Sequence, residues 1–428
     1  MRRPRPPCGR LLPAPVLALV LVAGALTGCT TDAGSAPAPT RAASAPPDVV
    51  RALERSLERR AAAVRRGDVD AFVAGLAPRP AFVREQRTWF GNLAQLPVGR
   101  FGYTLDPGTL VRHGDDYWVV VERHLQLQGY DPRPVMTPDR FRFTPGRGPG
   151  HYLLASTSDA QWERAHDVRP APWDAGPVEV RSARGVLGVF DAASVASAAA
   201  LLTSVQEAVG SVAADVPYTW SRSVVVYALS DPAFLTALAD LPGDDPTRVG
   251  AIAFPVTSRP GGRVVATRVV LNPRLLFEDD AERDRLLRHE VTHVAVGTHD
   301  DRVPVWLAEG VAELVSVRPM APQERLLPDA AVEQASAVED LPDDATFNDE
   351  HSAEHYAVAW WACEYVADAF GEAALWDLVD AMDEDGADPD EVLQLRLGLT
   401  SQDLAEKAGR MIEATFGPPG RGGRREHA

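Results

Sequence analysis

Apolar and polar positions follow two periods along this chain, and the period changes in a regular order. Residues 48–75 carry apolar side chains at helical spacing and predict an amphipathic helix. Four runs typical of strands follow, at residues 101–105, 117–127, 140–143 and 151–155. In the longest run, the alternating pattern places five apolar side chains on one face of a strand: Tyr117, Val119, Val121, Leu125 and Leu127.

The second half of the chain alternates strands and helices and then becomes almost wholly helical from residue 279 onward. Apolar runs predict strands at residues 178–181, 186–190, 224–229 and 264–271. Helical patterns cover residues 192–214 and 232–239. Strands followed by helices indicate an α+β domain with a helical C-terminal lobe.

These patterns predict two folded bodies joined by a proline-containing linker. One long helix leading into several antiparallel strands is similar, by pattern alone, to the cone-like nuclear-transport-factor/SnoaL-like fold. The first body shows no catalytic constellation, and its aromatic residues Trp89, Tyr103 and Trp118 are interpreted as core. The predicted boundaries are 48–157 for the cone-like α+β domain, 158–176 for the linker, 177–416 for the second domain and 417–428 for a disordered tail.

The pattern of the N-terminal residues predicts a targeting segment. Arginines near the start precede an uncharged apolar run at residues 11–26, too short for a comfortable membrane span. The sequence Leu-Thr-Gly-Cys that ends at Cys29 resembles a bacterial lipobox, which implies a signal peptide over 1–28 and lipid attachment at Cys29. Residues 29–47 then form a flexible tether. A plain secreted protein and an N-terminal anchor helix are the alternatives.

The composition of the chain restricts the classes of partner that it is expected to bind. The formal charge is −17, and four of the basic residues lie in the predicted signal peptide. A nucleic-acid-binding protein normally shows the opposite balance, so we expect no nucleic-acid partner. Cys363 lies in an apolar helical run and is interpreted as a buried, unreactive thiol. The expected location is the extracytoplasmic face of a bacterial cell membrane, with a lipid on Cys29 as the anchor.

The candidate chemistry is concentrated in a short segment. Residues 289–293 read His-Glu-Val-Thr-His, and on a helix His289 and His293 share one face. Two imidazoles four residues apart can bind one metal ion. Glu290 is next to the first histidine, where its carboxylate can act as a general base toward a metal-bound water.

The following helix gives this motif its context. Residues 304–313 read Pro-Val-Trp-Leu-Ala-Glu-Gly-Val-Ala-Glu. With the His-Glu-x-x-His motif, this segment resembles the gluzincin zinc metallopeptidases. The resemblance covers roughly residues 220–400 and implies a zincin fold, with one Zn²⁺ held by His289, His293 and Glu309. It also implies that a strand before the zinc helix, residues 268–271, is the edge strand that pairs with an extended substrate.

Other residues could complete the site. His299 has the third-histidine spacing of metzincins, but the glycine that this pattern requires is one position late, at Gly297. Glu313, one helical turn after Glu309, could orient a zinc-binding histidine or could be an ordinary polar residue. A donor to the oxyanion is also expected. The best match is Tyr356, with two rivals: His355 and Tyr365.

The sequence therefore predicts a membrane-tethered extracytoplasmic peptidase that hydrolyses peptide bonds in peptide or protein substrates. Glu290 would assist the attack of zinc-bound water on the scissile carbonyl. The alternative function is a catalytically silent binding lipoprotein that uses the zincin fold as a scaffold. A third reading, a protease kept latent by its own N-terminal domain, shares the chemistry of the first. Substrate sequence, endo- or exo-action and oligomeric state are left open.

Overall fold

The computed structural model describes residues 46–236, 249–259, 262–276, 280–300, 302–321 and 324–417. These residues form a mixed α+β fold, as predicted. The predicted signal peptide, Cys29, almost all of the tether and residues 418–428 of the tail lie outside the described residues.

The helices and strands follow the predicted order, with several additions. The helices are α1 (Pro47–Arg66), α2 (Val69–Ala74), α3 (Pro80–Gln95), α4 (Ala160–Ala165), α5 (Pro172–Ala175), α6 (Ala198–Asp215), α7 (Ala233–Thr236), α8 (Asp280–Val296), α9 (Val305–Val317), α10 (Asp329–Gln334), α11 (Ser352–Phe370), α12 (Glu372–Met382), α13 (Pro389–Leu397) and α14 (Ser401–Phe416). The strands are β1 (Val98–Leu105), β2 (Val111–His113), β3 (Asp116–Leu127), β4 (Val135–Pro145), β5 (Tyr152–Ser156), β6 (Glu179–Ala183), β7 (Val186–Phe190), β8 (Val224–Ala228), β9 (Ala251–Thr257) and β10 (Val264–Leu271).

Strands β1 to β5 form an antiparallel sheet in the N-terminal half. Its order is β1-β3-β4-β5, with β2 paired to the start of β3. The predicted inward face of β3 is confirmed, because all five of its apolar side chains are at least nine-tenths buried. Helix α1 packs on this sheet through its apolar side, and Leu53 and Leu57 lie in the same core cluster as Val119 and Val121.

The second sheet has the order β6-β7-β8-β10-β9. Its three central strands are parallel, and the two outer strands run antiparallel to their neighbours. Residues 268–271 were predicted as the edge strand, but they belong to β10, which is paired on both sides. The edge strand is β9, which the sequence analysis missed. Pro255 lies within it, and proline, which cannot donate to a ladder, is tolerated on edge strands.

Helix α6 connects the parallel strands β7 and β8 and packs against β7 and α8. Among the described residues, the stretch Val195–Asp215 is long and apolar enough to cross a membrane by length and composition alone. Leu201, Val205 and Val212 are nevertheless almost fully buried within the protein. The apolar character of α6 is therefore accounted for by its position in the core.

The segment predicted as a linker forms two short helices that pack against the rest of the protein. Residues 158–176 contain α4 and α5, and Trp173 is buried. The Asn92 side chain donates hydrogen bonds to the carbonyl oxygens of Trp173 at 3.0 Å and Gly176 at 2.7 Å. Trp173 also belongs to a hydrophobic cluster that contains side chains from both sheets: Phe101, Leu125, Leu127, Leu187, Val189, Val225 and Val270. The pattern did not reveal these short helices because each spans at most six residues.

Helices α9 and α11 approach closely at Gly310. A Cβ atom at this position would lie 2.3 Å from the carbonyl oxygen of Ala359 and 2.7 Å from Sγ of Cys363. Cys363 is fully buried there, and burial raises the pKa of its thiol well above the usual range. The glycine that follows Glu309 is therefore required by helix packing.

We expect Gly310→Ala to lower the free energy of unfolding by about 1–3 kcal/mol, because the added methyl group meets backbone atoms of α11. Urea unfolding of the purified variant measures this loss. Gly210→Ala in α6 is the matched control, since a Cβ there meets no atom within 4 Å and should be neutral or stabilising. An unchanged stability in Gly310→Ala would contradict the close packing of α9 on α11.

Candidate metal centre

Three side chains from two helices converge at one point. His289 and His293 lie one turn apart on α8, and Glu309 comes from α9, which packs against α8. The two Nε2 atoms are 3.2 Å apart. Oε2 of Glu309 lies 3.1 Å from Nε2 of His289 and 3.6 Å from Nε2 of His293. The three predicted ligand atoms thus form a small triangle.

The triangle has the size that a tetrahedral metal site requires. With metal–ligand distances of 2.0–2.1 Å, two ligands of a tetrahedral zinc ion lie about 3.3 Å apart. Two imidazoles and one carboxylate are also the donor set of catalytic zinc sites, which keep a fourth position open. His289, His293 and Glu309 form the metal-capable group found among the described residues. Their donor set and spacing could hold a metal ion.

Glu313 lies where it can orient His289. Its Oε1 is 3.2 Å from Nδ1 of His289, a charge contact without hydrogen-bond alignment, and its Oε2 accepts a hydrogen bond from Arg285 at 2.8 Å. A carboxylate at Nδ1 favours the tautomer that carries its proton there, which leaves the Nε2 lone pair free for a metal. Burial opposes ionisation of Glu313, but His289 and Arg285 outweigh it and lower the pKa of this carboxyl.

Asp300 is the carboxylate beside Nδ1 of His293, as Glu313 is beside His289. The sequence analysis did not assign a role to Asp300. Its Oδ2 lies 2.8 Å from Nδ1 of His293. The helix stops at Gly297, whose φ of +65° is left-handed, and the short turn that follows brings Asp300 back to the helix. The signal that could have revealed the role of Asp300 is the helix stop at Gly297, four residues after the second histidine.

His299, the rival third ligand, points elsewhere. Its Nδ1 is 2.8 Å from Oδ2 of Asp383, and its ring stacks on Tyr218 with 4.4 Å between centroids. Arg302 also pairs with Asp383. The structure therefore brings Glu309, and not His299, to the two motif histidines, and His299, whose side chain is 35% exposed, pairs with Asp383 instead.

Glu290 lies buried beside the triangle, with 6% of its surface exposed. Its Oε2 accepts a hydrogen bond from the backbone N–H of Ala253 on the edge strand β9. Burial raises the pKa of Glu290, while the two histidines and this hydrogen bond counteract the shift. A carboxyl whose pKa is shifted toward neutrality suits a group that takes up and releases a proton.

Of the three candidate donors, Tyr356 is the one at the site. Its ring centroid lies 6.4 Å from that of His289, and its hydroxyl contacts Glu309. Burial and then the charges of the surrounding carboxylates raise the pKa of this hydroxyl well above its usual range. His355 turns toward the carbonyl of Phe347 at 2.9 Å, and Tyr365 lies under the ammonium of Lys407.

The carboxylates around the two histidines shift the pKa values of the imidazoles. Burial lowers the pKa of His289, but Glu309 and Glu313 outweigh it and raise this pKa to about 9. Asp300 and Glu309 likewise raise the pKa of His293, against the effect of burial. Both histidines in turn lower the pKa of Glu309, although its burial acts in the opposite direction. The carboxylates therefore create a site that favours positive charge.

A cleft with a volume of about 820 Å³ runs beside the triangle. His289, Glu290 and Tyr356 line it, as does Ala251 at the start of the edge strand. A cleft of this size can accommodate an extended peptide of several residues next to the candidate metal ligands.

Comparison of the chain with protein-family profiles, with curated proteins and with solved structures gave no match. The chemistry of the site is therefore inferred from its own residues.

We expect Asp300→Ala to weaken zinc affinity by about 10- to 100-fold, because His293 loses the carboxylate that fixes its tautomer and ring orientation. Competition with a fluorescent zinc chelator measures the change. Glu350→Ala is the control, since Glu350 is a strongly exposed acidic residue outside the cleft lining. An unchanged affinity in Asp300→Ala would show that Asp300 does not support the metal site.

Proposed function

We propose that this protein is a zinc-dependent peptidase of the gluzincin type. The observation that carries the proposal is the triangle of His289, His293 and Glu309 with Glu290 beside it, on one wall of a large cleft. When bound, one zinc ion would be held by His289, His293 and Glu309 and would supply Lewis acidity and an activated water.

Glu290 is the general base in this proposal. Its carboxylate takes a proton from the attacking water as the new C–O bond forms at the scissile carbonyl. It then returns this proton to the leaving amine as the C–N bond breaks, so that the products are a carboxylic acid and an amine. The hydrogen bond from Ala253 holds one carboxylate oxygen and leaves the other free for proton transfer.

Tyr356 is proposed to stabilise the oxyanion that forms on the scissile carbonyl. Its raised pKa keeps the phenol protonated at neutral pH, so that the hydroxyl can donate a hydrogen bond. The edge strand β9 is the proposed partner for the backbone of an extended substrate, because one of its N–H groups already faces Glu290.

The finer fold assignments belong to the same proposal. We assign a cone-like, nuclear-transport-factor/SnoaL-like arrangement to the N-terminal half and a zincin arrangement to the C-terminal half. Support comes from the antiparallel sheet beneath α1 and from the mixed sheet with an antiparallel edge strand beside α8. The extracytoplasmic, lipid-anchored location depends on the lipobox at Cys29.

The alternative of a silent binding scaffold is less well supported. A structural zinc site is saturated by protein ligands and has no use for a general base. Here a buried carboxylate, Glu290, adjoins a three-ligand group, and Glu290 and the ligand His289 line a large cleft. This combination favours catalysis over scaffolding.

We expect Glu290→Gln to retain one zinc ion per chain and to lose peptide cleavage by at least about 100-fold, because the amide cannot accept the proton. Glu309→Ala is expected to lose both zinc and cleavage. Metal content by mass spectrometry and hydrolysis of a quenched-fluorescence peptide library measure the two properties.

His299→Ala is the matched control and should keep full zinc occupancy, because its side chain pairs with Asp383. Zinc retained in Glu309→Ala and lost in His299→Ala would transfer the third ligand to His299. Absence of cleavage by the zinc-loaded wild-type chain over a broad library would favour the binding-protein alternative.

We expect Tyr356→Phe to lower kcat by about 100- to 1,000-fold with little change in KM or zinc content, because the lost hydrogen bond forms only in the transition state. Steady-state kinetics on a cleaved peptide measure this. Tyr365→Phe, outside the cleft lining, is the control. An unchanged kcat in Tyr356→Phe would leave this tyrosine a packing residue only.

A further inference from the structure

The N-terminal half contains a second cavity that the proposed peptidase chemistry does not use. Its volume is about 330 Å³, and it lies between α1, α3, the first sheet and the segment around α5. Four aromatic side chains contribute to its wall: Trp89, Tyr103, Phe141 and Trp173. Arg60, from α1, lines the same cavity.

Arg60 is a buried cation without a counter-ion. Only 6% of its surface is exposed. Its Nε donates to the hydroxyl of Tyr103 at 3.2 Å, and its Nη2 donates to Oε1 of Gln86. Both acceptors are neutral, and Nη1 has no hydrogen-bond partner. Among the described residues, no carboxylate lies within ion-pair distance of Arg60.

This arrangement is energetically unfavourable by itself. Removing a guanidinium from water costs several kcal/mol unless an anion or a full set of hydrogen bonds replaces the solvent. The guanidinium lies 3.7 Å above the ring of Phe72, and this cation–π contact compensates only part of the cost. A buried charge of this kind is typical of a binding site for the opposite charge.

Of the other cations in the cavity lining, Arg123 and Arg169 are each paired with an aspartate. Arg123 and Asp174 form a two-pronged ion pair with both distances at 2.7 Å. Asp174 also accepts a hydrogen bond from Trp89. Burial and the neighbouring Glu163 raise the pKa of Asp139 to about 7, so this carboxyl is only about half ionised at neutral pH. Glu85, the remaining acid of the lining, contacts the amide of Gln86.

A second unpaired donor lines the same cavity. Nε1 of Trp173 is buried and has no hydrogen-bond partner. Buried donors are paired in the great majority of cases, so two unpaired donors on residues of one cavity lining favour an acceptor that binds there. Four of the lining residues are aromatic, so the acceptor should be attached to an apolar, flat body.

We propose that this cavity binds a small carboxylate that carries an aromatic ring. The carboxylate accepts charge-assisted hydrogen bonds from Nη1 of Arg60 and from Nε1 of Trp173. The ring packs against the aromatic wall formed by Trp89 and Phe141. This site is independent of the metal centre and does not depend on the peptidase activity.

The test is calorimetric titration of the full chain with sodium benzoate, with benzamide as the neutral analogue of the same shape. Benzoate should bind with 1:1 stoichiometry and benzamide about 30-fold more weakly, because the charged hydrogen bonds are lost. Sodium sulfate provides the third arm. Sulfate binding as tight as benzoate would assign the site to inorganic anions and overturn the aromatic part of the proposal.

Arg60→Met keeps the length and apolar stem of the side chain and removes the charge. It should weaken benzoate binding by about 30-fold, whereas Arg59→Met, at the exposed neighbouring position on α1, should leave it unchanged. Because an unpaired buried charge is removed, Arg60→Met should melt no lower than the wild-type chain in the absence of ligand. A lower melting temperature together with no binding of benzoate by the wild-type chain would make Arg60 a structural cation and overturn the proposal.

Discussion

The candidate metal centre depends on one constraint, which is that three electron-rich atoms are held within 3.6 Å of one another. Two imidazole nitrogens and a carboxylate oxygen do not assemble in this way without a cation or protons between them. Core packing holds these three atoms in place, because α8 and α9 lie in the same core as α11. Gly310 makes this possible, since any side chain there would push α9 away from Ala359 and displace the neighbouring Glu309.

The sequence predicted those parts of the fold that obey a local period. The buried face of β3 and the bounds of β7 and β10 followed from apolar spacing alone. The order in which the strands pair did not follow from this spacing. Strand β9 contains Pro255 and is only partly buried, so its pattern is weak, and without it β10 was misassigned as the edge. The packed segment 158–176 was also missed, because Trp173 is held by side-chain hydrogen bonds from a distant helix rather than by a local pattern.

The residues of the candidate site also divide into those that a local pattern predicts and those that only tertiary packing brings together. The positions of His289, His293 and Glu309 could be predicted because a helical spacing and a local motif define them. Asp300 could not, because it reaches His293 only through the turn that Gly297 allows, and acidic residues after a helix are common on surfaces. Glu313 was left open in the sequence because one helical turn after a ligand is consistent with either role. Its contacts with His289 and Arg285 are tertiary and become visible only when α8 and α9 are packed together.

A comparison of the two cavities shows why they should take ligands of opposite charge. Around the metal centre, the carboxylates of Glu309, Glu313 and Asp300 raise the pKa of the two histidines, so the site favours positive charge. Around the second cavity, Arg123 is paired with Asp174, whereas Arg60 has no carboxylate within ion-pair distance among the described residues. In both places the excess charge is buried, and burial makes an uncompensated charge expensive. The surroundings of the site between α8 and α9 therefore favour a cation, whereas those of Arg60 favour an anion.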